Sequence, residues 1–116
     1  MKPGTTPNQR DLYLAPFKFA DANLEKVRPV LILTNADHNR RWSDIIGMGL
    51  TSNLQTPIDG LIIDQASMEE GILRRTSKIV PTRIYSIAKD RLGPYIGRLK
   101  EDQFQEALKQ LLKAFS

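Results

Sequence analysis

The stretch PVLILT, from Pro29 to Thr34, is a continuous aliphatic run of strand length with a bias toward β-branched residues. It follows a charged segment that holds Lys26 and Arg28, and a polar segment follows it in turn. A short apolar run bounded in this way is typical of a strand buried in the core. The sequence therefore predicts a buried strand over these residues.

Four other segments have the composition of strands. DLYLAPF alternates around apolar residues and has Pro16 near its end, which suits a short or edge strand. The Asp59-Gly60 pair is a strong turn signal and predicts a hairpin leading into LIID. The polar stretches Lys18–Val27 and Asn35–Ser43 are interpreted as connections. The further predicted strands are Asp11–Phe17, Asp44–Asn53, Leu61–Asp64 and Ser77–Ile87, the last of them bent around Pro81.

The C-terminal segment Glu101–Ser116 changes to a helical period. Acidic residues in its first turn and a lysine in its last match the helix macrodipole. Its apolar residues fall on one helical face, and a small barrel that does not cover all of them leaves a surface for a second subunit. These residues are Phe104, Leu108, Leu111, Leu112 and Phe115.

Five short strands followed by one helix predict a mainly β fold, a small SH3-like barrel with a C-terminal amphipathic helix, rather than a parallel α/β domain. A chain of 116 residues is long enough for one core. The polar start, with Pro3, Gly4 and Pro7, predicts a flexible segment over residues 1–10, followed by a single barrel domain over residues 11–116.

The net charge of the chain bears on the kind of molecule that it binds. The formal charge of +4 and the sequence pI near 9.6 favour polyanions, although a solvated surface explains most of these charges equally well. The chain has no Cys, which excludes disulfides and thiol catalysis. It shows no signal-peptide core and no apolar run of membrane-spanning length, so we expect a cytoplasmic protein without a membrane partner.

Several reaction classes lack their usual residues. His38 is the only histidine, so one chain cannot supply paired-histidine catalysis, and we expect this residue to be a solvent-facing loop histidine. The acidic residues form no recognisable metal-ligand motif, and no phosphate-binding glycine loop or nucleophile elbow is present. We therefore expect neither a metal nor a cofactor.

Arg28 and Thr51 are the residues best suited to phosphodiester chemistry. A guanidinium at the start of the aliphatic strand can hold two phosphate oxygens and stabilise extra charge on a pentacoordinate phosphorus. Thr51, Ser52 and Asn53 leave another strand and offer hydroxyl and amide donors. Taken alone, an exposed arginine and an ordinary strand exit explain these residues as well.

The order of the segments adds a resemblance. DLYLAPFKFAD followed by KVRPVLILTN, then DIIGMGLTSN, and finally GILRRTSKIVPTRIYSIAKDRLGPYIGRLKEDQFQEALKQLL are similar to the successive segments of the MazF/PemK family of toxin ribonucleases. The Arg28-Pro29 step and the Thr51-Ser52 pair are short motifs, but they occur in the family's order with a matching C-terminal third. The resemblance covers about Asp11 to Leu112.

The resemblance implies a barrel homodimer that cuts single-stranded RNA without a metal, by attack of a ribose 2′-OH, and that a cognate antitoxin protein neutralises. It implies Arg28 and Thr51 as catalytic residues, with protonation of the leaving oxygen as an open second role for Arg28. The general base stays open, with Asp21 and Glu25 as candidates. Basic residues for the RNA path include Arg74 and Lys78, and either Phe17 or Phe19 is a candidate to stack a base. The RNA-binding residues we predict are Phe17, Lys18, Lys26, Ser52, Asn53, Arg75, Ser77 and Arg83.

The chain departs from the family pattern at three places. Arg10 stands where Gly is common before the first Asp, Arg75-Thr76 replaces a Lys-Pro type pair, and Arg83 replaces a polar amide of some members. The sequence does not indicate which RNA sequence is cleaved, which family the antitoxin belongs to, or what the N-terminal segment does. Two alternatives therefore stay open, a non-catalytic barrel toxin that inhibits a protein such as DNA gyrase, and a nucleic-acid-binding module without turnover.

Overall fold

The computed structural model describes residues 6–19 and 24–116, and the side chains of residues 18, 19, 24 and 25 lie outside that description. The boundary predicted after Arg10 stays a prediction. Two short 3-10 turns, Gln65–Ser67 and Lys89–Arg91, connect strands. The strands and helices are β1 (Asp11–Phe19), β2 (Leu24–Ile32), α1 (Ala36–Arg41), β3 (Asp44–Thr51), β4 (Leu61–Ile63), β5 (Met68–Gly71), β6 (Ser77–Ala88), β7 (Tyr95–Leu99) and α2 (Glu101–Lys113).

The described strands form one antiparallel sheet in the order β4-β6-β3-β2-β1-β7-β5. A flat sheet would separate β4 from β5 by six strand spacings, roughly 29 Å. The chain from Ile63 to Met68 has only five residue steps and reaches at most about 18 Å. The sheet must therefore curl until its ends approach each other. This confirms the mainly β, small-barrel fold class with a C-terminal helix.

Two apolar clusters lie on opposite faces of the curled sheet, and β2 contributes to both. Leu31 belongs to the cluster that includes Phe104 of α2. Val30 and Ile32 belong to the other cluster. Successive strand residues point to opposite faces, so a strand with both faces covered is apolar at every position. The buried strand predicted from PVLILT is confirmed, although it ends at Ile32 instead of Thr34.

Helix α2 covers one face of the sheet. Phe104 and Ala107 are buried against the core, and Leu108 and Leu111 pack at its edge. The predicted apolar face omitted Ala107, which is buried. It also included Leu112 and Phe115, which do not pack on the core and are 69% and 81% exposed. Within the described ranges, no helix is both long and apolar enough to cross a membrane.

The two predicted connections are wrong in part. The region Lys18–Val27 was expected to be a loop, but β1 continues to Phe19 and β2 begins at Leu24. Cross-strand pairing accounts for this, because backbone hydrogen bonds stabilise the extension despite its polar side chains. The segment Asn35–Ser43 contains α1, whose first turn is capped by Asn35: its side-chain oxygen accepts a hydrogen bond from the His38 amide at 2.9 Å.

The predicted hairpin before LIID is also wrong, because β4 pairs with β6 and not with β3. The turn and bends of this connection lie at residues 54–58, before the Asp59-Gly60 pair, and the chain crosses to the far side of β6. Two strands, β5 and β7, were not predicted at all. They pair with each other through Met68–Leu99 and Glu70–Arg98.

The pairing of strand β6 is irregular at the point where the sequence predicts a bend. Its pairing with β3 moves from Ile84 opposite Met48 to Ile79 opposite Leu50, so β6 carries extra residues at this point. Pro81 lies in that irregular stretch, where the absence of an N–H costs no regular ladder hydrogen bond.

Arg10 has a φ of +78°, in the left-handed region that favours glycine. The Arg10 guanidinium contacts three elements, β7, β5 and α2. Its Nη1 donates to the Leu99 carbonyl at 3.0 Å and to Glu69 at 3.2 Å, and its Nε lies 3.1 Å from Glu101. Arg10 is thus both strained and bound to its surroundings.

This geometry predicts that Arg10→Ala destabilises the protein more than Arg10→Gly. Both variants lose the same ion pairs, but only the alanine keeps the left-handed strain, which costs roughly 1–2 kcal/mol. Urea denaturation of the two variants at equal protein concentration measures the difference. Equal midpoints would show that the backbone at position 10 stores no such strain.

Candidate functional site

Alternation along four neighbouring strands brings six residues to one face of the sheet. On β2, Arg28 has the same parity as Val30 and Ile32, which belong to the cluster on the side away from α2. The other five residues are also an even number of positions along their strands from a member of that cluster. Since side chains alternate between the two faces of a strand, they lie on the same face as Arg28. These residues are Phe17 on β1, Gly49 and Thr51 on β3, and Arg83 and Tyr85 on β6.

The six residues line a groove of about 380 Å³. Leu50, Ser52, Asn53 and Thr56 complete its described lining. The charged members of this lining are Arg28 and Arg83, and it includes no acidic side chain. An anion that enters the groove therefore meets positive charge and hydroxyl or amide donors together.

Phe17 and Tyr85 form an aromatic pair on one wall of the groove. Their ring centroids are 4.5 Å apart and the ring planes are tilted by 40°. Gly49 makes this arrangement possible, because a Cβ at that position would lie 3.0 Å from the Tyr85 ring and 3.4 Å from the Arg83 Cβ. The missing side chain thus leaves room for a π-face beside the two arginines.

Arg28 and Thr51 keep donor capacity for a ligand. Arg28 is half-buried, and none of the described residues forms a hydrogen bond or ion pair with its guanidinium. Thr51 is 9% exposed, and its Oγ1 accepts a hydrogen bond from the Asn53 amide at 3.1 Å. Since the hydroxyl acts as acceptor in that bond, its own proton remains to be donated.

A second cavity, of about 850 Å³, lies on the other side of Arg28 and Ser52, which line both spaces. Arg74, Arg75 and Ser77 contribute polar groups to it, and the Ser77 hydroxyl donates to the Arg75 carbonyl at 3.0 Å. Exposed apolar residues also line it: Val27, Ile72 and Tyr95. The two cavities together form a basic surface divided by Arg28.

Tyr95 is a hydrogen-bond donor at the edge of this second cavity. Partial burial raises its pKa far above the ordinary value, and its hydrogen bond to Glu70 at 2.7 Å and the negative charges of Asp11 and Glu70 add to the shift. Burial likewise raises the pKa of Asp11, against hydrogen bonds from the Asn8 amide and Arg98. A tyrosine with a raised pKa stays protonated at neutral pH, so Tyr95 is unsuited to act as a base.

The structure brings most of the predicted site residues together. Arg28, Thr51 and four predicted RNA-binding residues line the groove: Phe17, Ser52, Asn53 and Arg83. Arg75 and Ser77 line the second cavity instead. Lys26 is exposed and lies in the described lining of neither space. The side chain of Lys18 falls outside the described residues, as do both candidate bases, Asp21 and Glu25.

Sequence reasoning missed Gly49, Thr56 and Tyr85. Alternation through Arg83, Tyr85 and Ile87 was the signal that could have placed Tyr85 beside Arg83. His38 lies half-buried in α1 instead of in a loop, with its Nε2 3.1 Å from the Asp44 carbonyl. No three of the described His, Asp and Glu side chains are grouped closely enough to hold a metal ion.

Comparison with known proteins identifies relatives at the level of family and fold. Residues 8–115 match the model of the PemK-like, MazF-like toxins of type II toxin-antitoxin systems. Among proteins with curated descriptions, no match was found.

Three solved structures illustrate the likeness. An endoribonuclease in complex with its cognate antitoxin, from a mycobacterial species, has a TM-score of 0.71 at 21% identity over 92% of this chain and 95% of the other. The Mycobacterium tuberculosis toxin MazF-mt6 gives 0.71 at 23% identity, over 91% and 96%. A MazE-MazF structure from Deinococcus radiodurans gives 0.74 at 16% identity, over 96% of each chain. These likenesses establish a shared fold.

Proposed function

Because the chain belongs to the family of PemK-like, MazF-like toxins of type II toxin-antitoxin systems, we propose that it is an endoribonuclease that cuts single-stranded mRNA at preferred short sequences. The observation that carries this proposal is the groove in which Arg28, Thr51 and Arg83 lie beside the Phe17–Tyr85 pair. It combines donors for a phosphodiester with aromatic faces for a base. An mRNA substrate places the activity in the cytoplasm.

The groove suits attack by a ribose 2′-OH on the adjacent phosphorus. A bond forms between the 2′ oxygen and phosphorus while the bond to the 5′ oxygen breaks, leaving a 2′,3′-cyclic phosphate and a 5′-OH. Arg28 neutralises the negative charge that grows on the phosphate oxygens, and Thr51 donates a hydrogen bond to the same group. The Thr51 hydroxyl is already held by the Asn53 amide, so this donor needs no rearrangement as charge develops.

Two proton transfers complete the reaction. The 2′-OH loses its proton as it attacks, and the 5′ oxygen gains one as it leaves. The described lining of the groove contains no Asp, Glu or His to accept the first proton, and an arginine with a pKa above about 12 is a poor base at neutral pH. The proton therefore passes to water or to a residue outside the described lining.

The aromatic wall favours unpaired RNA. Bases of a single strand are free to stack on Phe17 or Tyr85, whereas bases in a duplex are already stacked on each other. The charges of Arg28 and Arg83 hold the backbone while the rings hold a base. Double-stranded RNA of the same sequence should therefore be cut poorly.

Incubating the purified protein with a long single-stranded RNA in EDTA tests the proposal. We expect discrete fragments with 2′,3′-cyclic phosphate and 5′-OH ends, because the proposed chemistry uses side-chain donors. Salt-dependent RNA binding without cleavage would instead identify a nucleic-acid-binding module. Intact RNA together with inhibition of a protein such as DNA gyrase would identify a non-catalytic toxin, and activity abolished by EDTA would overturn the metal-free mechanism.

The proposed protein partner is a cognate antitoxin. The two cavities are lined by four arginines, Arg28, Arg74, Arg75 and Arg83, and exposed apolar residues line the second cavity as well. An extended segment with acidic and apolar side chains complements this surface. Such a segment would compete directly with RNA for Arg28.

Homodimerisation is the expected state in solution. Apolar side chains stay exposed at the end of α2, where Leu112 and Phe115 lie, and at the second cavity, where Val27 and Ile72 lie. Burial of such side chains against a second copy removes apolar surface from water. Light scattering at micromolar concentration should give twice the chain mass of 13.2 kDa. A mass of one chain throughout the micromolar range would contradict the dimer.

A further inference from the structure

Lys78 is a buried lysine whose ammonium group faces the interior of a loop. The residue is 8% exposed and lies on β6 directly opposite Thr51 of β3. Its Nζ donates hydrogen bonds to the carbonyl oxygens of Thr56 and Ile58, each at 3.0 Å. The charge is therefore engaged with the loop that follows Thr51 and does not contribute to the described lining of either basic cavity.

The loop itself is a chain of short hydrogen bonds that starts at Thr51. The Asn53 amide donates to Thr51 Oγ1 at 3.1 Å, the Gln55 amide to the Asn53 side chain at 3.1 Å, and the Thr56 amide to the Asn53 carbonyl at 3.2 Å. These bonds join residues only two or three positions apart, and such local bonds stabilise a single loop conformation only weakly.

A tight turn brings two carbonyls to Lys78. The Ile58 amide donates to the Thr56 carbonyl at 2.8 Å, which closes a three-residue turn around Pro57, whose ring fixes its own φ. The Thr56 carbonyl thus accepts from both Ile58 and Lys78. Hydrogen bonds therefore connect Thr51 to the loop and the loop to Lys78, and Lys78 is in turn the cross-strand partner of Thr51.

Gly60 shows that the loop is pressed against Lys78. A Cβ at Gly60 would lie 2.7 Å from Lys78 Cγ and 2.9 Å from Cδ, and it would overlap the Ile79 carbonyl oxygen. Only a residue without a side chain lets the backbone pass this close. The stem of Lys78 is therefore packed under the loop at the same time as its ammonium holds the loop's carbonyls.

We infer that Lys78 is a positioning residue: it holds the loop of residues 52–58 so that the Thr51 hydroxyl and the Asn53 side chain face the groove. This inference rests on the proposed ribonuclease function for its catalytic consequence. Its structural part, the anchoring of the loop, stands independently of that function. A lysine in this role acts through Thr51 and does not touch RNA.

The catalytic consequence is tested by a double-mutant cycle. Lys78→Met removes both hydrogen bonds while keeping a side chain of similar length, and we expect kcat to fall roughly 10-fold to 100-fold, as misplaced catalytic groups do. In a Thr51→Ala background the same change should lower kcat by no more than about 2-fold, because the group that Lys78 positions is already gone. Lys78→Arg, which keeps a donor, should restore part of the loss.

The anchoring is tested by hydrogen exchange of the intact protein. The amides of Asn53, Gln55 and Thr56 should exchange faster in Lys78→Met than in wild type, while core strands keep their protection. Gly60→Ala serves as a second variant, because it displaces the loop without removing the lysine, and it should show the same faster exchange. Lys109→Met removes an equal charge from an exposed position of α2 and should change neither exchange nor kcat.

The outcomes separate the inference from the proposed function. Unchanged loop exchange in Lys78→Met and Gly60→Ala would overturn the anchoring. Faster exchange with equal losses of kcat in the wild-type and Thr51→Ala backgrounds would overturn the positioning of Thr51. If the wild type leaves RNA intact, the proposed function fails together with its catalytic consequence, and the exchange measurements alone decide whether Lys78 holds the loop.

Discussion

Arg28→Ala is expected to lower RNA cleavage by a factor of about 100 to 1,000, the usual loss when one preorganised transition-state donor is removed. Arg28 stands between the two cavities, and no described residue neutralises its charge. If its main contact forms with charge that develops during the reaction, kcat falls while the fold and much of the RNA affinity remain. Other groove donors, such as Arg83, still hold the substrate backbone.

Single-turnover cleavage of a single-stranded RNA in EDTA measures this loss, with binding followed separately on an RNA whose 2′-OH groups are replaced. Thr51→Ala should lose less, because a neutral hydroxyl contributes less to a phosphorane than a guanidinium does. Arg40→Ala is the matched control, since Arg40 is exposed on α1 and forms an ion pair with Asp37 at 3.4 Å. Full cleavage by a well-folded Arg28→Ala protein would refute the catalytic assignment.

The parts of the fold that the sequence predicts are those with a local signature. Within PVLILT, residues 30–33 are all apolar because Leu31 packs on one face of the sheet and Val30 and Ile32 on the other. Pro81 marks the irregular stretch of β6, because inside a sheet proline is tolerated where the ladder of hydrogen bonds is interrupted. In both cases the cause of the structure lies within a few residues of the signal.

Strands β5 and β7 have no such signature. The sequence of β5 is MEEG, and its two glutamates are stabilised as a strand by partners far along the chain: Arg98 lies 3.7 Å from Glu69 and 3.5 Å from Glu70. Gly97 has a comparable role, because a Cβ there would meet the β5 backbone. These pairings become visible only once the barrel has closed.

The site follows the same rule. Arg28 and Thr51 were identified from the order of motifs along the chain, and their meeting in one groove required only that β2 and β3 be neighbours. Tyr85 and Thr56 join them through the bulged pairing of β3 with β6 and through a loop held by Lys78. Neither the register shift nor the direction of a lysine side chain is encoded in a local pattern.

Phe104→Ala is expected to reduce the free energy of unfolding by about 3–5 kcal/mol, the usual cost of deleting a fully buried phenylalanine ring. Phe104 is 1% exposed and joins α2 to the core cluster that contains Leu12, Leu31 and Met48. The other α2 residues that pack on this cluster are the small Ala107 and the half-buried Leu108 and Leu111, so deletion of the ring leaves a cavity. Urea denaturation at one fixed protein concentration measures the loss.

Gln105→Ala is the control for this experiment, since Gln105 is the next residue of α2 and is exposed, and a surface change of this kind is usually worth less than about 0.5 kcal/mol. The groove lies on the face of the sheet opposite α2, as the two apolar clusters show. Phe104→Ala protein that remains folded at low temperature should therefore cut RNA at nearly the wild-type rate. A loss of cleavage without unfolding would show that α2 is coupled to the groove across the sheet, and an unchanged denaturation midpoint would show that α2 is not docked through Phe104.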